Sequence, residues 1–371
     1  MLARTLIDEG RPATAEEKQT LARFSSWGAI PEVFDESKTA WSTERALLRD
    51  LLSQEQWDQA RRTTINAHYT DPAYVRQMWS TLQRLGFDGG TVLEPGAGAG
   101  TFIGMAPESA SMVGVELDET TAAIAAAVYP HAQIRAESFA DTKYPAGHFD
   151  AAIGNVPFGN VTLHDPVHNA GRHSLHDHFI IKSLALTRPG GMVAVLTSRY
   201  TLDTQNPAAR REMNRMADLV GAVRLPSGAH RRAAGTEVVT DLLVFRRREP
   251  GRPAASDVWE TVHAHQVDGE IVKTNAYFDT RPENVLGTYT IGPSQFGPTL
   301  YVTGDLTSVE SGLRGALDGI VADARERGQL FTARSEESQL QQNEHRPELA
   351  EVFDGTLLAE SDGSFAQVQG G

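Results

Sequence analysis

The chain has 371 residues, 40% of them apolar and 7% aromatic, with no cysteine and 34 Lys and Arg against 48 Asp and Glu. That length and apolar fraction suit one large globular domain with extensions, or two domains, and exclude disorder throughout. Zero cysteine excludes disulfides, cysteine-ligated zinc, cysteine-held iron-sulfur clusters and thiolate nucleophiles, and a net charge of −14 excludes a chain that coats nucleic acid nonspecifically.

Residues 1–62 read as a helical N-terminal extension. Helices are expected over Thr14 to Arg23, Ser42 to Leu52 and Gln54 to Arg62, with Thr14 and Ser42 as hydroxyl caps. The N-terminus turns polar too early for a secretory signal, and no run of 18 apolar residues exists, so a cytoplasmic protein with no membrane span is expected. From residue 91 short apolar runs alternate with helical stretches. Strands are expected at Thr91 to Leu93, Met112 to Glu116, Gln133 to Arg135, Ala151 to Gly154, Met192 to Leu196, Leu219 to Arg224 and Val238 to Phe245. That alternation implies a seven-stranded, mostly parallel α/β sheet of the Rossmann-like kind over residues 63–250. The last two strands are expected to form an antiparallel hairpin at one end. The turn-rich Glu249 to Pro253 reads as a boundary before a small α+β appendage, residues 251–330, with a strand near Leu300 to Val302 and a helix from Val309 to Arg325. Residues 331–371 read as an acidic tail or linker.

Two patterns carry chemistry. Glu94-Pro95-Gly96-Ala97-Gly98-Ala99-Gly100 sits where the first strand ends, and glycine there lets a ligand approach the backbone. Twenty residues after Gly96 comes Glu116, an acid at the end of the second strand, placed to accept hydrogen bonds from two ribose hydroxyls. A nucleoside cofactor follows, although this pair alone does not choose between a dinucleotide and S-adenosylmethionine. The choice comes from Asn155-Val156-Pro157-Phe158 at the end of the fourth strand, where open α/β sheets bind ligands. The Asn155 side-chain oxygen and the Val156 carbonyl can each accept an N–H from an exocyclic amine while Phe158 stacks on its ring.

In this order the motifs resemble those of adenine-N6 DNA methyltransferases, amino-methyltransferases with an Asn-x-Pro-Phe motif. Phe24 to Phe34 and Gly235 to Phe245 are similar to methyltransferase modules fused to helicases in phages and mobile elements. The resemblance implies S-adenosylmethionine as cofactor and flipped-out adenine in DNA as substrate. It also implies a restriction-modification, anti-restriction or phage-defence context, with a helicase or a separate target-recognition subunit as partner. It assigns cofactor contacts to Tyr69 and Thr70, to Glu94, Pro95, Gly96, Ala97, Gly98 and Gly100, to Glu116 and Leu117, to Ser138 and Phe139, and to Asn155 and Phe179. Asn155, Val156, Pro157 and Phe158 match the catalytic tetrad. The chain departs from the pattern at Val156, where Pro is usual, and at Glu137-Ser138, where an Asp is common; the first keeps the needed carbonyl.

Two rivals remain on the sequence: methylation of another planar amine or amide, such as an RNA base or a protein glutamine, and an inactive methyltransferase-fold module for DNA binding or assembly. His164, His168, His173, His176 and His178 read as a loop rather than a metal site, given irregular spacing and no cysteine. Between 199 and 248 stand ten Arg against five acids. Arg210, Arg211 and Arg215 are expected on a solvated helix face, Arg231 and Arg232 near phosphates, and Arg246, Arg247 and Arg248 as surface charge. The five tryptophans are expected in the core or at domain contacts.

Overall fold

A computed structural model describes residues 1–24, 26–64, 70–229, 239–294, 297–334 and two short strands, 357–359 and 365–367. It divides into two compact units, Met1–Thr332 and Ala333–Gly371.

The first unit opens with helices α1 (Leu2–Glu9), α2 (Ala15–Leu21), α3 (Ser42–Leu51) and α4 (Gln54–Thr63). Thr14 caps α2 as expected: its hydroxyl accepts from the Glu17 N–H, and the Glu17 carboxylate accepts from the Thr14 N–H. Ser42 does not cap α3. It is the first helical residue, and Trp41 before it makes no side-chain capping bond. Ser53 and Gln56 form a second reciprocal cap that starts α4. Trp27, Phe34 and Trp57 pack into an aromatic cluster, with ring centroids 5.6 and 4.8 Å apart along the series.

Next come α5 (Pro72–Arg84), β1 (Gly90–Pro95), α6 (Thr101–Gly104), β2 (Ala110–Glu116), α7 (Glu119–Val128), β3 (Gln133–Ala136), β4 (Phe149–Asn155), α8 (Leu175–Leu186), β5 (Thr187–Ser198), α9 (Tyr200–Asp203), α10 (Ala208–Met216), β6 (Ala217–Arg224) and β7 (Thr240–Arg247). The strands form one seven-stranded sheet in the order β3-β2-β1-β4-β5-β7-β6. Strands β3, β2, β1, β4 and β5 run parallel, and β7 is antiparallel to both of its neighbours. This is an α/β, Rossmann-like sheet. The expected antiparallel hairpin forms at one end of the sheet, with β7 between β5 and β6, so β6 takes the edge.

Both faces are apolar, which explains why the strands read as runs rather than alternations. Val92, Ala151, Ile153, Met192 and Ala194 belong to one core cluster; Leu93, Ala152, Val193 and Val195 belong to the other. The order reverses between β1 and β4, so the crevice at their carboxyl ends is the place for a ligand. Helices α1 and α2 lie against α7, with Leu6, Leu21 and Ile124 in a shared cluster.

Beyond β7 come the antiparallel pair β8 (Val262–Val267) and β9 (Glu270–Asn275), the short α11 (Ala276–Thr280), the pair β10 (Thr288–Ser294) and β11 (Gly297–Thr303), and α12 (Val309–Glu326). Helix α12 packs against α5 and β6 and supplies Leu313, Leu317, Ile320 and Val321 to the first core cluster. It approaches β6 so closely that a Cβ on Gly221 would stand 2.6 Å from Ile320.

Several arginines are interior rather than surface. Arg224, fully buried, bonds Asp241 and Asp203 at 2.8 and 2.9 Å. Arg246 pairs with Glu249, and Arg248 pairs with Asp218; both are buried, which corrects the expectation of surface charge. Arg210 is buried and donates to the carbonyls of Thr201 and Glu260, whereas Arg211 and Arg215 face solvent. Arg231 and Arg232 lie outside the described residues. The expected acidic tail starts as core instead: Phe331 is buried against Phe87 in the first core cluster. In the second unit, β12 (Leu357–Ala359) pairs antiparallel with β13 (Phe365–Gln367), and residues 335–356, 360–364 and 368–371 lie outside the described residues.

Candidate functional site

The chain bends sharply where β1 ends. Gly96, Gly98 and Gly100 have φ of +73°, +54° and +84°, a region that side chains with a Cβ rarely adopt. The bend is held by Ala97, whose N–H donates to the Val115 carbonyl, and by Gly100, whose N–H donates to the Ala97 carbonyl. It lies directly beside the fourth strand's end: a Cβ on Gly96 would stand 3.5 Å from Pro157 Cδ and 3.7 Å from Phe179. The glycine bend and the tetrad are therefore in van der Waals reach of one another.

At the end of β2, Glu116 reaches under the bend. One carboxylate oxygen accepts the Gly98 N–H at 2.8 Å and the other accepts the Asp118 N–H at 2.9 Å. Each oxygen keeps acceptor capacity for a ligand hydroxyl. Burial, only partly offset by these two bonds, pushes the Glu116 carboxyl up to about 7. Glu94 is also buried; burial, with the nearby Glu116 charge adding to it, holds its carboxyl well above the usual range.

A cavity of about 680 Å³ joins these parts, a size that suits a cofactor. Its lining includes Thr70, Glu94, Gly96, Ala97, Gly98, Glu116, Leu117, Ser138, Phe139, Asn155, Pro157, Phe158 and Phe179, all singled out in the sequence. Asn155 donates through Nδ2 to the Thr70 hydroxyl at 3.1 Å, which ties the segment before α5 to the tetrad. Phe139 and Phe179 pack with ring centroids 4.8 Å apart. Three expected residues among those described do not line the cavity. Pro95 packs near Gly154, Gly100 has its Cα against Tyr129, and the Val156 side chain is buried while its N–H extends the ladder to Leu196. Tyr69 lies outside the described residues.

The histidines are not a simple loop. His176 and His178 are buried on α8, and burial lowers the pKa of both. His178 Nε2 lies 3.1 Å from Asp165, which also bonds Lys182 at 2.9 Å. Burial raises the Asp165 carboxyl, but its bonds to Lys182, the His168 N–H and His178 outweigh this and hold it well below the usual range. His173 reaches Glu212 at 2.8 Å. These pairs pin residues 163–174 to α8 and α10; among the described residues no group of His, Asp and Glu is arranged to hold a metal.

Sequence reasoning missed one wall. Ser26, Trp27, Arg62 and Thr63, from the helical N-terminal segment, also line the cavity. Arg62 is the one cationic side chain among its described lining residues, against Glu94, Glu116 and Glu137. The signal was the run Phe24-Ser25-Ser26-Trp27-Gly28, which its own composition marks only as a turn with an apolar ring.

The cavity fits S-adenosylmethionine. Its acids suit a ligand with a sulfonium and an ammonium, and Glu94 Oε2 is buried with no hydrogen-bond partner among the described residues. Phe139, Phe179 and Leu117 supply apolar walls for a base, and Glu116 supplies acceptors for a ribose.

No known protein-family profile matches the chain. Over 192 residues, 50% of this chain, it is 28% identical to the defense against restriction protein B of Escherichia phage P1, of which the match covers 8%. Over 222 residues, 52% of this chain, it is 27% identical to the type II methyltransferase M.XamI of Xanthomonas campestris pv. amaranthicola, of which the match covers 41%. The chain thus spans less than half the length of either curated relative. Among solved structures it resembles a modification subunit assigned to a type I restriction enzyme of Vibrio vulnificus YJ016 (TM-score 0.45, 17% identity, 81% of this chain and 65% of that one). It also resembles the type I restriction-modification methyltransferase subunit of Streptococcus thermophilus (TM-score 0.41, 12% identity, 71% and 58%). Among the described residues no helix is long and apolar enough to cross a membrane.

Proposed function

We propose that the chain transfers a methyl group from S-adenosylmethionine to the exocyclic N6 amine of adenine in DNA. The observation that carries this reading is the convergence of the glycine bend, Glu116, Asn155 and Phe158 on one cavity, with Pro157 within 3.5 Å of the Cβ position of Gly96. The type II methyltransferase among its relatives supports methyl transfer, and the anti-restriction relative supports a role in restriction-modification or phage defence.

When bound, S-adenosylmethionine supplies an activated methyl group, so the protein needs no strong base. Its residues position and exclude. Glu116 and the bend hold the nucleoside, with Phe139 and Phe179 against its base; Thr70 and Glu94 take the amino-acid end. Asn155 is oriented by its Nδ2 bond to Thr70, and its carbonyl oxygen accepts one amine N–H while the Val156 carbonyl accepts the other. Phe158 stacks on the adenine, offsetting part of the few kcal/mol that base flipping costs. Positioning of this kind lowers a barrier by about 7 to 11 kcal/mol. The matched stretches are 8% and 41% of the two relatives, which supports a module that works with a further segment or partner, such as a helicase or a separate target-recognition subunit.

The test is transfer of a tritiated methyl group to DNA, RNA and protein offered separately, with nucleoside mass spectrometry of the product. N6-methyldeoxyadenosine from the DNA arm is expected; label in the RNA or protein arm alone would replace this substrate.

A further inference from the structure

Trp27 stands 91 positions before Asp118, yet its indole Nε1–H donates to Asp118 Oδ2 at 2.9 Å, and both residues are buried. Asp118 is a fixed partner: its N–H is held by Glu116, and the same Oδ2 accepts from the Thr121 N–H and hydroxyl, capping α7. The bond therefore ties the N-terminal helical segment to the residue two past the ribose-binding acid. Trp27 is also part of the cavity lining, beside Leu117, Glu116 and Thr121.

Two further observations show that this contact belongs to the cavity. Ser26 is held at φ +74° and ψ +165°, a conformation that residues other than glycine rarely adopt, and it lines the cavity immediately before the indole. At the other end of the same segment, Arg62 and Thr63 line the cavity shortly before Thr70, which bonds Asn155. The aromatic packing of Trp27 on Phe34, and of Phe34 on Trp57, makes the segment one body rather than a loose strap.

We propose that the N-terminal helical segment is a working part of the methyl-donor site, latched over its nucleoside end by the Trp27–Asp118 hydrogen bond. The inference rests on the donor reading above. Trp27 is a positioning residue: it sets the wall against which the nucleoside is held while Glu116 binds the ribose.

The experiment is calorimetry of the full chain with S-adenosylhomocysteine, with melting curves and donor kinetics on the same preparations. Trp27→Phe keeps an aromatic ring but loses the N–H. It should bind at least about tenfold weaker, the worth of one hydrogen bond to a charged acceptor, with the change appearing in the KM for donor more than in kcat. Trp27→Ala should be weaker still. Trp57→Phe, in the same aromatic cluster but outside the lining, should lower the melting temperature without moving donor affinity, which separates a latch from general loosening. Should Trp27→Ala fail to fold, Trp27→Phe decides. Wild-type binding with Trp27→Phe unchanged within about twofold overturns the latch and leaves the donor reading intact. No binding by the wild type overturns both.

Discussion

Glu116→Gln gives the sharpest test of the donor site. The wild-type carboxylate accepts from Gly98 and Asp118 and, in the proposed donor site, offers two oxygens to a ribose; the amide would offer one oxygen and turn an NH2 toward a backbone N–H. A hydrogen bond to a charged group contributes about 1.5 to 3 kcal/mol net, so losing the charge and one acceptor should cost about 3 kcal/mol, or about two orders of magnitude in Kd. The pH dependence follows from the raised carboxyl. Ribose hydroxyls donate to the ionised form, so wild-type affinity should weaken about tenfold per pH unit below the Glu116 pKa of about 7, whereas Glu116→Gln should lack that component. Stability runs the other way. With a folded value above the ordinary 4.5, Glu116 favours the empty fold most at low pH, and this contribution is lost as pH rises through about 7. Calorimetry with S-adenosylhomocysteine between pH 5.5 and 8.5, with urea unfolding alongside, reads both effects. Equal affinity of the two proteins, or identical pH profiles, would refute the role given to Glu116.

Other consequences are independent of that carboxylate. Arg62→Gln removes the one cation among the described lining residues and should weaken donor binding about tenfold, read by calorimetry against the unchanged binding expected for exposed Arg215→Gln. Phe158→Ala should lower methylation efficiency about tenfold to hundredfold, the worth of one stacked base, while donor affinity holds; an equal loss of donor binding would contradict its place on the acceptor side. Arg224→Met leaves Asp203 and Asp241 buried without their shared cation and should destabilise the fold by about 3 to 5 kcal/mol in urea unfolding. Gly221→Ala drives a methyl into Ile320 and should cost about 1 to 3 kcal/mol; an unshifted melting curve would show that α12 yields freely.

The parts of this protein that local chemistry dictates were legible in the sequence. Apolar runs such as Val92-Leu93 and Ala151-Ala152-Ile153 mark strands buried on both faces, and the acid twenty residues past Gly96 does end β2. The capping box at Thr14 was equally plain, because its donors and acceptors lie within four residues. What escaped depends on distant partners. Nothing around Val238 to Phe245 says that β7 slips between β5 and β6; that register comes from pairing with residues near 195 and 220. Arg246 and Arg248 look like surface charge until Glu249 and Asp218 meet them, and His178 looks like loop until Asp165 folds back onto α8. The wall supplied by Trp27 is the same kind of case, since Asp118 lies 91 residues away.

In the proposed reaction Asn155 meets the acceptor amine while other residues of the same cavity hold the donor. The direct measurement is Asn155→Ala against wild type, with donor Kd and the rate of adenine methylation taken on the same samples. Donor binding within about threefold of wild type, together with a methylation rate lower by at least about two orders of magnitude, is the predicted pair. A variant that methylates adenine at the wild-type rate would contradict it.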